Sequence, residues 1–462
     1  MSDIIQAILI GAGQRGANAY APYALRHPGE FCIVAIAEPV SERRLRFASQ
    51  HNIPEENVYE TWEPLLTRPK MAQAALICTQ DQQHTAPALM ALRAGYDILL
   101  EKPMATREGD CLELVKTAEE CNQQLHICHV LRYTPHFQKM RQIVQSGELG
   151  QIINVSHREN VSYWHMAHSF VRGNWANSAH SSPMILAKCC HDFDILLWVL
   201  GRSCQQLSSV GSLSHFNTEN APPGAPEYCL DGCPSANTCP YYAPFIYQDL
   251  KPLWCSFVAT SSGYSRWIVQ LQQHAPWLVK TLSALIPPIR QVSNYRRWPL
   301  SVVANDPSPE NVLEALRKGP YGRCVYHCDN NVVDHQVVLM QFEDNISVSL
   351  TMHGHSHIEY RTTRIEGSRA TLLGEFGIGG SRIEVRDHRS GKRKRISTGG
   401  EAGQGHGGGD EALMAAFITS LRTGGSQALT LGRQSLESHI LAFAAERARI
   451  DGKIIYRKEL TW

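Results

Sequence analysis

Residues 8–16 read ILIGAGQRG, an apolar run that ends in glycines at positions 11, 13 and 16. This GxGxxG spacing directly after a strand is typical of a dinucleotide-binding βαβ unit. The first glycine permits a tight turn, the second lets backbone N–H groups approach a pyrophosphate, and the third allows a helix to pack closely on the strand. We therefore predict that the following residues of the turn bind a dinucleotide: Gly11, Gly13, Gln14, Arg15 and Gly16.

An acidic residue stands where such a turn needs one. Glu38 directly follows the second apolar run, FCIVAIA at 31–37. A carboxylate at this point accepts hydrogen bonds from the ribose hydroxyls and repels a 2′-phosphate, so the pattern predicts NAD rather than NADP. Arg43 and Arg44 follow shortly after and could soften that preference. A glycine turn that binds no nucleotide is the alternative, which the coincidence of strand, spacing and acid disfavours.

Apolar runs alternate with amphipathic stretches from residue 4 to about 128, which is typical of βαβ units and a parallel sheet. Further along, the segments 337–344 and 347–355 alternate as strands of an antiparallel sheet do. The sequence therefore predicts an α/β protein with a Rossmann domain at 1–128. A C-terminal α+β domain at 129–462, built on a mostly antiparallel open sheet, would serve substrate binding and oligomerisation. We interpret about 214–320, rich in proline, cysteine and tryptophan, as an insertion.

Composition limits the classes of partner. Lysine and arginine number 44 against 43 aspartates and glutamates, which leaves no sequence-wide positive field for nucleic acid or an anionic membrane. The start, MSDIIQAILIGAG, lacks the basic flank and long apolar core of a secretory signal. No uncharged apolar run approaches about 20 residues. We expect a cytoplasmic protein that binds a small molecule, with neither nucleic acid nor membrane as a partner.

The tripeptide EKP at 101–103, together with GAGQRG, resembles the Gfo/Idh/MocA family of glucose–fructose oxidoreductase, inositol dehydrogenase and MocA. The resemblance covers about residues 1 to 205 well and the C-terminal sheet more loosely. It implies that Glu101 and Lys102 lie at the cofactor, with Lys102 beside both nicotinamide and substrate, and that Pro103 often follows a cis peptide. It also implies a homo-oligomer, because relatives often assemble through the open face of the C-terminal sheet.

Two further segments take their roles from the same resemblance. Thr79 and His84, in ICTQDQQH, match the loop that runs alongside the cofactor after the fourth strand. The segment HVLRYTP, which contains Arg132, looks like the stretch that joins the two domains. We therefore predict cofactor contacts for Thr79 and His84, and a substrate contact for Arg132.

One helix departs from the family pattern. Members commonly carry an aspartate four residues before a histidine at the substrate site, whereas this chain reads LAKCCHDFD. His191 fits the histidine, but Ala187 stands at the aspartate position, with Lys188 next to it. On a helix Lys188, His191 and Asp192 share one face, because spacings of three and four bring side chains together. The apolar flanks ILA and ILLWVLG argue against the alternative, a solvated helix with scattered charges.

Oxidising a secondary alcohol requires a base for the hydroxyl proton while hydride leaves for nicotinamide. Histidine titrates in the right range, and lysine does so when burial or a neighbouring cation lowers its pKa. We predict that Lys102 polarises the developing alkoxide and that His191 relays the proton. Lys188 would tune His191 or be the base itself.

The substrate pocket is predicted from the mixture of polar arms and aromatic faces in 156–175, which suits sugar rings. The predicted substrate contacts are Arg132, Tyr163, Arg172, Trp175 and Asp192. Near the C-terminus, GHGGGDEAL contains His406 and Asp410. Its glycines would let this loop approach substrate closely, and a simple connector with an aspartate N-cap is an equal alternative.

Three cysteines in the insertion raise a metal hypothesis. Cys229, Cys233 and Cys239 could supply thiolates to a structural zinc, with Cys324 or Cys328 as a fourth ligand. The paired CxxC spacing of many zinc sites is missing, so reduced cysteines in a loop are the alternative. The sequence does not decide whether a metal is bound.

Three functions remain open. The first is an NAD(H)-dependent dehydrogenase acting on a secondary hydroxyl of a sugar, glycoside or cyclic polyol. The second, known among relatives, is a redox-assisted glycosidase or lyase, in which transient oxidation of a ring hydroxyl acidifies the adjacent C–H for elimination. The third is a non-catalytic NAD-binding regulator, which the presence of Lys102 and His191 disfavours.

Overall fold

The structure is a computed structural model, and it describes residues 4–260, 263–283, 289–290, 292, 294–377, 380–398, 405–425 and 428–460. Within that part of the chain, strands and helices alternate first and then give way to long antiparallel strands. The helices are α1 (Pro22–Arg26), α2 (Ser41–His51), α3 (Trp62–Thr67), α4 (Thr85–Arg93), α5 (Glu108–Glu120), α6 (Pro135–Gln145), α7 (Tyr163–His165), α8 (Met184–Leu200), α9 (Ala243–Tyr247), α10 (Lys251–Thr260), α11 (Gly263–His274), α12 (Pro276–Leu282), α13 (Leu300–Val303), α14 (Pro309–Lys318), α15 (Gly409–Thr423) and α16 (Gly432–Asp451).

The first sheet is parallel and, over the described residues, contains six strands in the order β3-β2-β1-β4-β5-β6. These strands are β1 (Ile5–Ile10), β2 (Phe31–Ala37), β3 (Val58–Tyr59), β4 (Ala74–Ile77), β5 (Asp97–Leu100) and β6 (Leu125–Ile127). Their apolar residues are buried on both faces, as a parallel sheet covered by helices requires. The strand order reverses between β1 and β4, and such a reversal opens the crevice in which Rossmann folds bind dinucleotides. The predicted Rossmann domain is confirmed.

The second sheet has nine strands among the described residues, in the order β14-β13-β12-β11-β7-β10-β9-β8-β15. They are β7 (Ile152–Ser162), β8 (Cys204–Ser212), β9 (His335–Phe342), β10 (Ser347–Ser356), β11 (Tyr360–Gly367), β12 (Ala370–Gly377), β13 (Gly380–Asp387), β14 (Arg393–Ser397) and β15 (Ile455–Tyr456). Neighbouring strands run antiparallel except β7 and β10, which are parallel. The predicted mostly antiparallel sheet is therefore confirmed.

Helix α8 lies between the two sheets and carries the residues predicted for catalysis. It is apolar along most of its length and buried at both ends, which fits a helix in the interior rather than at the surface. Gly201, in the left-handed conformation with φ of 62°, ends it. Helix α6, which packs on α8, is capped by Thr134, whose hydroxyl accepts a hydrogen bond from the backbone N–H of Phe137.

The chain between β8 and β9 forms the small helices α9 to α14, in the region interpreted as an insertion. Its inner side packs aromatic rings against the segment after β7, with Trp298 and Trp164 centroids 5.1 Å apart. Over the residues described, no helix is both long and apolar enough to cross a bilayer.

The C-terminal helices return to the Rossmann domain. Ile127 N–H donates to the carbonyl of Thr430, and the Met104 N–H donates to Nε2 of His439 on α16. The same helix packs on α8, so it connects both sheets. A domain boundary at 128 does not include these contacts of α16 with the Rossmann domain. Periodicity along the sequence does not indicate which domain a helix will pack against.

Candidate active site

The glycine turn after β1 has the geometry expected of a phosphate cradle. Gly11 has φ of 92°, and a Cβ there would lie 2.6 Å from the carbonyl oxygen of Cys78. A Cβ on Gly16 would lie 2.1 Å from the carbonyl oxygen of Gly11. A Cβ on Gly13 would meet nothing within 4 Å. The first and third glycines are therefore required by packing, while the second borders open space that fits a pyrophosphate.

Glu38 lies at the end of β2 beside this turn. Its carboxylate accepts hydrogen bonds from the backbone N–H groups of Ala12 at 2.7 Å and Val40 at 3.0 Å. Each carboxylate oxygen keeps a further lone pair, so the group fits the ribose of NAD without losing these contacts. Arg44 donates to the carbonyls of Glu38 and Pro39. These contacts hold Arg44 at the strand end.

Arg15 and Glu101, both predicted to contact the cofactor, contact each other. Arg15 Nε lies 2.5 Å from Glu101, and its Nη2 lies 2.8 Å from Asp410 on α15. Tyr20 also donates to Glu101. Burial alone would raise the pKa of Glu101, but Arg15 and Lys102 lower it. This cluster ties the glycine turn to the end of β5, so its observed role is to hold the cradle. Gln14 is exposed on the turn.

His84 has a different place from the one predicted. The ring is fully buried, with Nδ1 2.7 Å from the Pro103 carbonyl and Nε2 3.2 Å from the Thr79 carbonyl. Both nitrogens are thus occupied by backbone groups, and His84 joins the loop after β4 to the turn after β5. Thr79 donates its hydroxyl to Gln83 and remains partly exposed. We therefore correct the prediction for His84 from cofactor contact to support of the two loops.

Lys102 contacts helix α8 one turn before His191. The Lys102–Pro103 peptide is cis, and Lys102 Nζ donates to the Ala187 carbonyl at 2.8 Å. His191 is one helical turn further along α8, on the same side as Ala187. The position where relatives carry an aspartate therefore contacts the lysine through its backbone oxygen.

His129, which the sequence analysis missed, lies behind His191. The Nδ1 atoms of the two rings are 3.4 Å apart, and His129 Nε2 lies 3.4 Å from the Ser438 hydroxyl and 3.6 Å from Asp194. Burial, with Arg132 and Lys102 nearby, lowers the pKa of His129 well below its ordinary value. His129 is thus a neutral imidazole with one donor and one acceptor. The available signal was a histidine directly after the sixth strand.

The surrounding bonds decide which nitrogen of His129 carries the proton. Ser438 donates its hydroxyl to the Ser435 carbonyl at 2.7 Å, so its oxygen accepts from His129 Nε2. The lone pair of His129 is then on Nδ1, where it accepts from His191 Nδ1–H. In this arrangement the neutral form of His191 keeps its own lone pair on Nε2.

Lys188 faces the second sheet instead. Its ammonium contacts Glu359 and lies 3.3 Å from Glu159, while Glu359 also contacts His165. Burial lowers the pKa of Lys188, but the two carboxylates more than offset this and raise it above the ordinary value. Lys188 is therefore an ammonium at neutral pH. This corrects the hypothesis that Lys188 is the base.

Asp192 is also turned toward the sheet, and it is fully buried. It accepts from His157 Nε2 and from Arg361 Nε, both at 2.8 Å. Burial raises its pKa, but Arg361 and His157 reverse the direction and lower it. Lys188 and Asp192 thus share one environment and His191 has another, which corrects the prediction of a single cluster. The carboxylate of Asp192 is taken up by His157 and Arg361, which argues against its predicted substrate contact.

Arg132 and Arg172 bond to other parts of the protein, which indicates a structural role rather than ligand binding. Buried Arg132 pairs with Asp194 at 2.5 Å and also donates to the Leu429 carbonyl. Arg172 is buried, and donates to the carbonyls of Arg323 and Tyr241, each at 2.7 Å. The partners of Arg132 and of Arg172 Nε and Nη2 lie in distant segments that the sequence could not associate with them. Both predictions of substrate contact are corrected accordingly.

Tyr163 and Trp175 are partly exposed. Trp175 Nε1 donates to Asp81 at 2.9 Å, which links the second domain to the loop after β4. Burial raises the pKa of Tyr163 to about 12, and its ring lies edge-on to Tyr241. Asp410 pairs with Arg15, and His406 has no described side chain.

The cysteines of the insertion surround one small cavity. Cys229, Cys233, Cys239 and Cys324 line it together with Arg172. All fourteen cysteines are free thiols, and burial raises the pKa of Cys239 and of Cys324. No group of three or more His, Cys, Asp or Glu side chains in the described ranges is arranged to hold a metal ion. The zinc hypothesis therefore has no support from the geometry.

Comparison with known proteins agrees with this geometry. The model described as the oxidoreductase family with an NAD-binding Rossmann fold matches residues 5–129, and the GFO/IDH/MocA C-terminal domain matches 137–226. Inositol 2-dehydrogenase of Corynebacterium glutamicum (strain R) is 25% identical over 203 residues, which are 44% of this chain and 56% of that protein. Trans-1,2-dihydrobenzene-1,2-diol dehydrogenase of Bos taurus is 29% identical over 186 residues, 39% and 52% of the two chains. The chain spans about half the length of the curated relatives it matches.

Solved structures share the fold over nearly the whole chain. Aldose-aldose oxidoreductase from Caulobacter crescentus matches with a TM-score of 0.63 and 13% identity, covering 98% of this chain and all of that one. An oxidoreductase from Agrobacterium radiobacter, solved with NAD+, L-tartaric acid and magnesium, matches with a TM-score of 0.64 and 14% identity over 98% of each chain. Residues 5–129 and 137–226 thus match, in order, the two domain models of the Gfo/Idh/MocA family of NAD-binding oxidoreductases, and the glycine turn and Glu38 fit NAD.

Proposed function

We propose that this protein oxidises a secondary hydroxyl of a sugar, glycoside or cyclic polyol with NAD, or reduces the corresponding ketone with NADH. The observation that carries the proposal is the hydrogen bond from Lys102 Nζ to the Ala187 carbonyl, on helix α8 one turn before His191. A cation and a titratable imidazole at one place are what alcohol oxidation requires.

His191 is the proposed base. His129 accepts its Nδ1–H, so Nε2 is the atom that takes the hydroxyl proton. His129 accepts this hydrogen equally from neutral and from protonated His191, and the ring therefore does not turn when it is charged. Asp194, 3.6 Å from His129, carries negative charge toward the imidazolium, although Arg132 offsets part of it.

Lys102 is proposed to bind the substrate oxygen. An ammonium has three donors, and the bond to the Ala187 carbonyl uses one of them. A second donor can stabilise negative charge on the hydroxyl oxygen as its proton leaves. When bound, the oxidised nicotinamide supplies the acceptor for the hydride.

The substrate class rests on two observations. Trp175 and Tyr163 have partly exposed aromatic rings, a surface that suits a sugar or polyol ring. The names of the inositol and dihydrobenzene-diol dehydrogenases both describe rings with adjacent hydroxyls. We therefore propose a cyclic substrate that carries at least two neighbouring hydroxyl groups.

The test is a panel of cyclic polyols, aldoses and glycosides incubated with NAD, followed by nicotinamide absorbance and by product analysis. Net formation of NADH supports the dehydrogenase. Cleavage of a glycoside without net absorbance change would replace it with the redox-assisted glycosidase, which the alanine at position 187 keeps as the second candidate. Binding of NAD without turnover across the panel would favour a regulator.

Cofactor choice is tested at Glu38. The variant Glu38→Ala should bind NAD about tenfold or more weakly, because hydrogen bonds to a charged group contribute about 1.5 to 3 kcal/mol. Discrimination against NADP should fall at the same time, since the charge that repels a 2′-phosphate is gone. Equal affinities for NAD and NADP in the unmutated protein would contradict the assigned role.

A homo-oligomer that works in the cytoplasm is also part of the proposal. Val210 on β8 and Leu339 on β9 are exposed apolar residues on the second sheet, a surface that a second subunit could cover. The fourteen free thiols suit a reducing compartment. Light scattering of Val210→Glu/Leu339→Glu beside the unmutated protein would test the assembly, and an unmutated monomer would end this part.

A further inference from the structure

The insertion has a local charge that the balanced total conceals. From residue 250 to 305 the chain contains six lysines and arginines and no aspartate or glutamate. Four tryptophans lie in the same stretch: Trp254, Trp267, Trp277 and Trp298. Each basic residue held near a membrane surface is attracted to anionic lipid.

The structure divides these aromatic residues between an inner and an outer face. Trp254 is buried, and Trp298 packs on Trp164 beside the cleft. On α11, Ile268 and Val269 face inward, whereas Trp267 is 50% exposed. On α12, Trp277 is 70% exposed. Tryptophan is one of the residues enriched where proteins meet the membrane–water interface.

Basic side chains accompany the two outer tryptophans. Arg266 is adjacent to Trp267 and exposed, and Arg290 and Arg297 are exposed in the segment that follows α12. Arg296 pairs with Asp306 at 3.0 Å, but both side chains are more than half exposed, and such surface pairs are weak. Exposed arginines and two exposed tryptophans therefore occur together in this part of the insertion.

This face belongs to a packed part of the protein. Lys251 Nζ donates to the Gln273 carbonyl at 2.6 Å, which fastens the end of α11 to the start of α10. Trp298 contacts His165 and His168 as well as Trp164, so the insertion is joined to the segment after β7. The exposed rings are thus presented from a fixed base.

We propose that the outer face of helices α11 and α12, together with Arg290 and Arg297, docks on an anionic membrane surface. Tryptophan prefers the level of the lipid headgroups, and arginine is attracted by anionic lipid. Helices of this kind lie in the plane of the interface and do not span it. The expectation of no membrane partner came from the charge of the whole chain, whereas docking depends on the local excess. This proposal is independent of the oxidoreductase activity.

The test is co-sedimentation of the full chain with large unilamellar vesicles. Vesicles of phosphatidylcholine containing phosphatidylglycerol should bind the protein, and vesicles of phosphatidylcholine alone should not. The triple variant Arg266→Gln/Arg290→Gln/Arg297→Gln should bind about a hundredfold more weakly, since each basic residue near the surface contributes about a factor of five. Brominated lipid should quench tryptophan emission in the parent and much less in Trp267→Ser/Trp277→Ser.

A matched control removes charge elsewhere. Arg389 and Lys392 are exposed basic residues on the turn between β13 and β14, with no tryptophan nearby in the sequence. The variant Arg389→Gln/Lys392→Gln should keep full vesicle binding. Equal loss in this control, equal binding to neutral vesicles, or no binding of the parent at low salt would overturn the proposal. Unchanged melting temperatures of the surface variants would show that lost binding does not come from unfolding.

Discussion

Helix α8 holds its titratable side chains differently on its two sides. Toward the Rossmann domain, His191 contacts neutral His129 through a 3.4 Å nitrogen–nitrogen contact. Toward the second sheet, Lys188 and Asp192 lie among Glu159, Glu359, Arg361 and His157, all ion-paired or hydrogen-bonded. A group in neutral hydrogen bonds can gain or lose a proton near neutral pH, whereas an ammonium between carboxylates cannot. One side therefore suits proton transfer and the other suits holding the helix on the sheet.

The strongest test of this difference is to remove the two side chains that are proposed to take part in the reaction. We expect His191→Ala and Lys102→Ala each to reduce turnover by about 10² to 10⁴, the usual contribution of a positioned acid–base group. The affinity for NAD should stay within a small factor, because the glycine turn and Glu38 hold the nucleotide. Turnover is measured at saturating NAD, and affinity by calorimetry. Full turnover in His191→Ala would move the base to another residue.

Lys188 should behave in the opposite way. We expect Lys188→Met to lower the free energy of unfolding by about 3 to 5 kcal/mol, because Glu159 would be left buried with one ion-pair partner fewer. Turnover of the folded variant should retain the pH profile of the parent. Urea unfolding and initial rates against pH measure the two effects. A variant of normal stability but without turnover would place Lys188 back in the reaction.

Glu159 gives the ionic side a pH signature. Burial raises its pKa to about 7, although Arg361 and Lys188 act in the other direction. An acid whose pKa is raised by folding binds more protons in the folded state, so stability falls as pH rises from the unfolded pKa through about 7. We expect Glu159→Gln to remove this fall, worth up to about 3 kcal/mol across the window. Urea unfolding at about pH 5 and about pH 8 measures it, and parallel curves for parent and variant would contradict it.

The sequence predicts those parts of the site in which the interacting residues lie close together along the chain. The glycine turn and Glu38 were predicted because their chemistry is local to one βαβ unit, and the second sheet because alternation is visible along each strand. The ionic partner of Lys188 could not be predicted in this way, because Glu359 lies just before β11 and 171 residues further along the chain. Arg132 and Arg172 likewise take partners from segments that only the fold brings near. The residue types indicated that these charged side chains would form ion pairs or hydrogen bonds, but the sequence did not indicate their partners.

The smallest predicted effect concerns His129, which is proposed to act only through His191. We expect His129→Leu to slow turnover by about tenfold or more, within the range found when a supporting hydrogen bond to a functional histidine is removed. His129→Asn should recover part of the rate, because its amide oxygen can still accept the His191 Nδ1–H near the original place. The pH profile decides the matter: without the acceptor, the neutral imidazole can place its proton on Nε2, and the rate on the alkaline side should fall. If Leu and Asn variants lost the same activity, with pH profiles identical to that of the parent, His129 would be a packing residue and His191 would be oriented by other contacts.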